Sequence, residues 1–408
     1  MLITGHKSKA VCHQRYFLIH LRTLLVCFLF FCASPLFSAD ELLDSDRTAT
    51  IEFLMEHAIA RGLINGSVLV VGNREGILYS ATRGRLTPAA DSPLLGEHTM
   101  FDVASLTKVF ATAPAIMKLV GEGHITLNDP LTRWFPEFEG TGRGDVTIHN
   151  LLTHTSGFLD IQLTSGEPLK SAIQKAALHK GWKQPGNRFH YADINFILLG
   201  ELVRRASGLT LDQFCSEQFY QPLGMNNTQF LPPPELVPVI APTLGARREM
   251  TAGVVQDENA RMLGGVAGHA GLFSTAPDLA RFVLMMLNKG MLDGRLIFPE
   301  QLVIQMTAPH FSSNGQVVRG LGWDIQSSYS SPKGSVFSDM SFGHTGYSGS
   351  SVWIDPQQNL FVILLTTRLD YRDVRHFNRL RSDISTLAAA MFSPSGKRHA
   401  QAELPQLP

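Results

Sequence analysis

Cysteine is scarce in this 408-residue chain, with four in all, too few and too unevenly placed for a disulfide scaffold. Three of them, Cys12, Cys27 and Cys32, fall in the first 39 residues. The fourth, Cys215, lies in the helically spaced LDQFCSEQFY and reads as a small buried apolar group rather than a nucleophile. A surplus of either charge is also missing: Lys+Arg and Asp+Glu each number 35. Without a basic excess to neutralise a phosphate backbone, nucleic acid is excluded as a partner. HExxH and CxxC do not occur, and none of the 15 histidines pairs with another at i,i+4 beside a carboxylate. No metal and no cofactor is therefore expected. A phosphate loop, a Gly-x-Ser-x-Gly elbow and internal repeats are absent as well.

No apolar run reaches the ~20 residues that span a bilayer comfortably. An apolar run of 15 residues without charge, Thr23–Phe37, follows Lys7, Lys9, Arg15 and Arg22 with no acid before residue 40. A basic stretch ahead of a short apolar one is the pattern of an export signal. Residues 1–39 are read as a signal peptide cleaved near Ala39, and the product as periplasmic or secreted. Phe37 is large for the position three back from the cut, so an uncleaved N-terminal membrane anchor is the alternative. The oligomeric state is not legible.

What is present is a globular composition, 44% hydrophobic and 17% charged with 35 Gly and 22 Pro. A helical pattern over 48–61 precedes two β-rich runs, GSVLVVGN (66–73) and GILYSATRG (76–84), that read as a hairpin. A helix is predicted from Ser105 to about Gly121. From residue 125 to about 310, helical patterns alternate with Pro- and Gly-rich loops. Strand patterns return at 321–327, 350–356 and 359–367, and an amphipathic helix over 374–391 follows. These patterns predict an α+β fold whose antiparallel sheet draws on both chain ends and is flanked by terminal helices. Residues 40–124 and 311–395 would form the α/β body, 125–310 a mainly helical insertion, and 396–408 a polar tail.

The tetrapeptide Ser-x-x-Lys occurs as Ser105–Lys108 and as Ser330–Lys333. The second lies in SYSSPKG, where Pro332 and Gly334 predict a solvated turn. The first opens a helix, so free N–H groups surround the serine and the lysine amine returns to it one turn later. Further on, Tyr191 and Asp193 stand just before a helical pattern. His344-Thr345-Gly346 precedes the strand SSVWIDP, and NLLTHTSGF (150–158) lies between Ser105 and Tyr191.

In this order the motifs resemble those of the serine β-lactamase and penicillin-binding-protein superfamily, nearest the branch of class C β-lactamases, DD-peptidases and related esterases. Ser105-Leu106-Thr107-Lys108 stands for Ser-x-x-Lys, Tyr191-Ala192-Asp193 for Tyr-x-Asn, and His344-Thr345-Gly346 for Lys-Thr-Gly. LLTHTSG, QPLGMNNTQF, GGVAGHAGLFS and GLGW are similar to the family's flanking text, and the likeness spans about residues 50–390. It implies that Ser105 is an acylated nucleophile with Lys108 and Tyr191 as candidate bases. It also implies an oxyanion hole from the amides of Ser105 and Tyr347, and substrate held by Asp193, His344, Thr345 and Gly346, the last three on an edge strand. The substrate would be a small molecule or a peptidoglycan-derived peptide: a D-alanyl peptide, a small ester or a β-lactam. A non-catalytic sensor on the same fold is the rival from another class.

Asp193 and His344 depart from the family's Asn and Lys, and Thr367 stands where relatives often carry Asn. Burial is expected to lower the pKa of Lys108. His344, with an ordinary pKa near ~6.5, replaces a permanent cation, so β-lactams should be turned over poorly. Any carboxylate recognition should improve as the pH falls toward ~6, unless Arg368 supplies the missing charge. His269, in the Gly-rich GGVAGHAGLFS, reads as a hydrogen-bonded structural residue, and Asp129 as a turn or cap.

Overall fold

A computed structural model describes residues 39–179, 183–245, 248–314 and 316–393. The leader up to residue 38 and the tail from 396 lie outside the described residues. The first helix, α1 (Ala39–Ala60), precedes a hairpin of β1 (Ile64–Asn73) and β2 (Gly76–Gly84). Its turn closes through Asn73, whose side-chain oxygen accepts from the amides of Glu75 and Gly76. Three late strands, β3 (Phe342–Thr345), β4 (Ser351–Asp355) and β5 (Leu360–Arg368), complete an antiparallel sheet. Its order is β3-β4-β5-β1-β2, so β1 pairs with a strand almost 300 residues later, Val70 facing Ile363.

Strict alternation splits this sheet between two cores. Leu69, Val71, Trp353, Val362 and Leu364 face the terminal helices, meeting Ile51 and Met55 of α1 and Phe377, Leu380, Ile384 and Ala388 of α5 (Val374–Phe392). Val68, Val70, Val352, Phe361, Ile363 and Leu365 face the larger core with the central helices. Those include α2 (Ala113–Gly121), α3 (Asp193–Ser207) and α4 (Ala276–Leu287). Both faces being covered, all nine residues of β5 are buried. That is why it reads in sequence as a continuous apolar run.

Two local expectations fail. Residues 321–327 form no strand; Gly322 is left-handed (φ 82°), and only Asp324 makes isolated bridges, to Arg319 and Gly343. The second Ser-x-x-Lys is buried rather than solvated. Ser330 donates to Asp324, and Lys333 reaches the Ile325 carbonyl, Gln326 and Ser341.

Candidate active site

A short strand, Met100–Asp102, leads into Val103-Ala104-Ser105. Ala104 has φ 48°, a left-handed conformation that costs a residue with a Cβ about 1–3 kcal/mol. Asp102 holds it there, its carboxylate accepting from the amides of Ala104 at 2.8 Å and Gln256 at 2.7 Å. Burial pushes that carboxyl up to about 6 despite the two amides. The helix that follows starts as a 3₁₀ turn at Ala104–Leu106 and widens into a π turn at Lys108–Thr112 before α2 begins. Pro114 lacks the N–H that would meet the Phe110 carbonyl, and the Tyr220 hydroxyl donates to that oxygen instead at 3.2 Å. Cys215 packs beside it, buried and free, with burial raising its thiol pKa.

Lys108 is wholly buried, and its Nζ donates to Ser105 Oγ at 3.0 Å and to the His269 carbonyl at 3.1 Å. The same nitrogen is 2.7 Å from a carboxylate oxygen of Asp193. The Tyr191 ring lies beside them, its centroid 4.9 Å from Lys108 Nζ, and its phenol acts electrostatically on Lys108 and is acted on by Ser105. Asp193 therefore faces the lysine at the first turn of α3. Burial alone disfavours the ammonium, but the Asp193 carboxylate and Tyr191 outweigh it, so the Lys108 pKa is raised. This reverses the expectation from burial. Tyr191 is raised too, by burial first, with Lys108 opposing and Asp193 adding. The resting pair is an ammonium beside a neutral phenol.

Beneath Tyr191 lies His154, a residue whose part in the site the sequence did not reveal although LLTHTSG was noted. Its ring stacks on Tyr191 at 4.5 Å. Its Nδ1 accepts from the Ala192 amide and faces the Asn195 side-chain nitrogen, each at 3.2 Å. Burial, then the charges of Arg319 and Lys108, keep it neutral.

The Gly-rich segment brings the His269 carbonyl to Lys108. Gly268 lies against Gly200 of α3, so close that a Cβ on Gly268 would stand 1.9 Å from the Phe196 carbonyl oxygen. The His269 ring is buried, Nε2 at 2.8 Å from Asp257, as expected of a structural histidine. Burial would raise the Asp257 carboxyl, yet its bond to His269 takes it down to about 2. Donor atoms of Asp193, Asp257 and His269 lie within 4.8 Å of one another. A cation there would have to displace the ammonium of Lys108, to which Asp193 is committed.

On the opposite wall, β3 is the sheet edge and carries His344 and Thr345. The turn Gly346–Ser350 presses on the segment that leads into Ser105: a Cβ on Gly346 would stand 2.5 Å from the Val103 carbonyl oxygen, and Ser348 donates to the Asp102 carbonyl at 2.7 Å. Ser105 and Tyr347 thus line one cleft of about 1480 Å³ with Tyr191, Asp193, His344 and Thr345. His344 Nδ1 bonds the Thr345 carbonyl at 2.9 Å. Burial, with Arg319 and Lys108 repelling a proton, holds its pKa well below the usual range, so the expected gain of charge near pH ~6 does not occur. The fixed charge beside it is Arg319, buried, 3.5 Å from Asp324 and 3.5 Å from His344 Nε2. Nothing in the sequence around Arg319 pointed to the cleft. Asp129 binds Thr126, Arg133 and Trp134 and stays structural.

A helix start bearing Ser105 and Lys108, a sheet edge and a Tyr-bearing loop around one cleft define a serine β-lactamase-like fold. The chain belongs to the family described as Beta-lactamase, whose model matches residues 51–384. A protein of Salmonella agona provisionally named a D-alanyl-D-alanine carboxypeptidase is 29% identical over 366 residues, 80% of this chain and 83% of its own. A penicillin-binding-protein homologue from Caulobacter crescentus superposes with a TM-score of 0.70 at 21% identity, covering 85% of this chain and 98% of that one. EstCE1, a hydrolase with promiscuous acyltransferase activity, superposes at 0.69 and 21% identity over 84% of this chain and 99% of its own.

Proposed function

We propose that the protein is an exported serine hydrolase acting through an acyl-enzyme on Ser105, with a D-alanyl peptide or a small ester or amide as substrate. The carrying observation is the contact of Lys108 Nζ with Ser105 Oγ at 3.0 Å, with the Tyr191 ring centroid 4.9 Å from the same nitrogen. In this reading the tyrosinate form of Tyr191, reached from the resting phenol by loss of a proton to solvent and stabilised by the neighbouring ammonium, takes the Ser105 proton as Oγ attacks the carbonyl. The amides of Ser105 and Tyr347 bind the oxyanion, the leaving group departs with the proton, and water releases the acyl group. The substrate backbone lies along the β3 edge at 344–346. The name of the Salmonella relative supports the peptide reading; the neutral His344 supports poor β-lactam turnover. The basic, then apolar, leader supports export, which fractionation with N-terminal sequencing checks.

Treatment with a fluorophosphonate, followed by intact-mass measurement and peptide mapping, should place a single adduct on Ser105. Ser105→Ala should lose both labelling and hydrolysis of a D-Ala-D-Ala peptide and a p-nitrophenyl ester. Label on another residue, with Ser105→Ala still active, would overturn the assignment.

A further inference from the structure

Asp102 is tied to three segments at once. It is 2% exposed, and its carboxylate accepts from the amide of Ala104 at 2.8 Å and from that of Gln256 at 2.7 Å. Its carbonyl accepts from the Ser348 hydroxyl at 2.7 Å. Ala104 precedes Ser105, and Ser348 follows Tyr347. Each amide assigned above to the oxyanion hole therefore sits one residue from an atom bonded to Asp102. The turn that carries Tyr347 is also held from behind, where Arg381 of α5 donates to the carbonyls of Gly346 at 2.7 Å and Ser350 at 2.8 Å.

The third segment leads back to the lysine. Gln256 is fixed by its side-chain nitrogen, which donates to the Leu244 carbonyl at 2.8 Å and to the Tyr371 hydroxyl at 2.6 Å. Next to it Asp257 holds the His269 ring, and the His269 carbonyl accepts from Lys108. Without the carboxylate, Ala104 would leave φ 48° for a region that suits its Cβ. That rotation would turn the peptide bearing the Ser105 N–H. Burial is the largest influence on the Asp102 carboxyl and takes it up to about 6; the amides of Gln256 and Ala104 and the charge of Arg261 oppose it, and Asp257 adds to it. The Tyr371 phenol feels the same carboxylate.

We propose that Asp102 is a positioning residue for acyl transfer that aims both oxyanion donors, the Ser105 amide through Ala104 and the Tyr347 amide through Ser348. The proposal rests on the hydrolase reading above and adds to it the residue that sets the distance between the two amides. Acid then weakens the reaction twice. The tyrosinate of Tyr191 becomes rarer as the pH falls. Below about 6, one Asp102 oxygen also carries a proton and releases its amide.

Hydrolysis of the p-nitrophenyl ester is compared in wild type, Asp102→Asn, Ala104→Gly and the double variant, with circular dichroism and Tm establishing that each folds. Asp102→Asn turns an NH₂ group on one of the two amides. Its kcat should fall about tenfold to a hundredfold with KM within about threefold, as misplaced oxyanion donors act on the transition state. Glycine adopts φ > 0 freely, so adding Ala104→Gly to Asp102→Asn should regain about tenfold in kcat, a rescue that a merely structural aspartate would not show. In wild type, log(kcat/KM) should rise with pH at a slope of about one, steepening toward two below about 6. Asp102→Asn should keep the single slope. An unchanged kcat in Asp102→Asn, no rescue by glycine, or the same break in both profiles overturns the proposal. Should Asp102→Asn not fold, Ala104→Gly decides: a weaker break than in wild type supports the proposal, and an identical one rejects it. Should wild type turn over no ester and take no fluorophosphonate on Ser105, the hydrolase reading fails instead. Amide NMR signals then decide whether Asp102 aims the two amides. Ser105 and Tyr347 shifting together between pH ~5 and ~7 in wild type, and staying still in the folded variant, supports it; either signal unmoved in wild type rejects it.

Discussion

Asp193 determines where the proton rests. Its carboxylate, 2.7 Å from Lys108 Nζ, is what outweighs burial and keeps the lysine charged. In Asp193→Asn the carboxylate that disfavours a tyrosinate is gone, so the Tyr191 pKa should fall and the base of the proposed mechanism should form at lower pH. The rising limb of fluorophosphonate labelling rate against pH should therefore move to lower pH in Asp193→Asn; an unmoved limb would show that Asp193 does not tune the pair. Ser105, Lys108 and Tyr191 were legible because motif order survives without any knowledge of distance. The ion pair was not, because Asp193 lies 85 residues beyond Lys108 and only the start of α3 brings them together. Arg319 and Arg381 were invisible for a plainer reason: an arginine bound to carbonyls has no characteristic spacing in sequence.

Among the elements, the contact between the Gly-rich segment and α3 is the most exacting. Gly268 and Gly200 leave no room for a Cβ, and the atoms in the way are backbone. That approach puts the Gly268 carbonyl on Thr112 at 2.7 Å and the His269 carbonyl on Lys108 at 3.1 Å. Gly268→Ala should force the segment off α3, costing about 1–3 kcal/mol as overpacking does, and should lower kcat/KM with it. Gly96→Ala, whose Cβ would meet nothing nearer than 3.9 Å, serves as the control and should stay within about 0.5 kcal/mol of wild type in thermal denaturation. Periodicity marked the hairpin and α5 well, since each buries a regular face. It misread 321–327 as a strand and could not tell the buried turn at Lys333 from a solvated one, because turn residues look alike whether water or protein covers them.

At the scale of the molecule, the sheet joins two cores, and β5 contributes to both. Ile363, fully buried between its partners Val70 and Val352, should cost about 2–5 kcal/mol as Ile363→Ala. Ile77→Ala on β2, 45% exposed, should cost far less in the same denaturation assay. The division of the sheet between the chain ends also sets an order of events during synthesis. Ser105 and Lys108 leave the ribosome early, whereas the Gly346–Ser350 turn and the Arg381 that grips it are among the last residues made. On the proposed mechanism a nascent or prematurely terminated chain would carry Ser105 without its second oxyanion donor, and would stay inert until its final helix is in place.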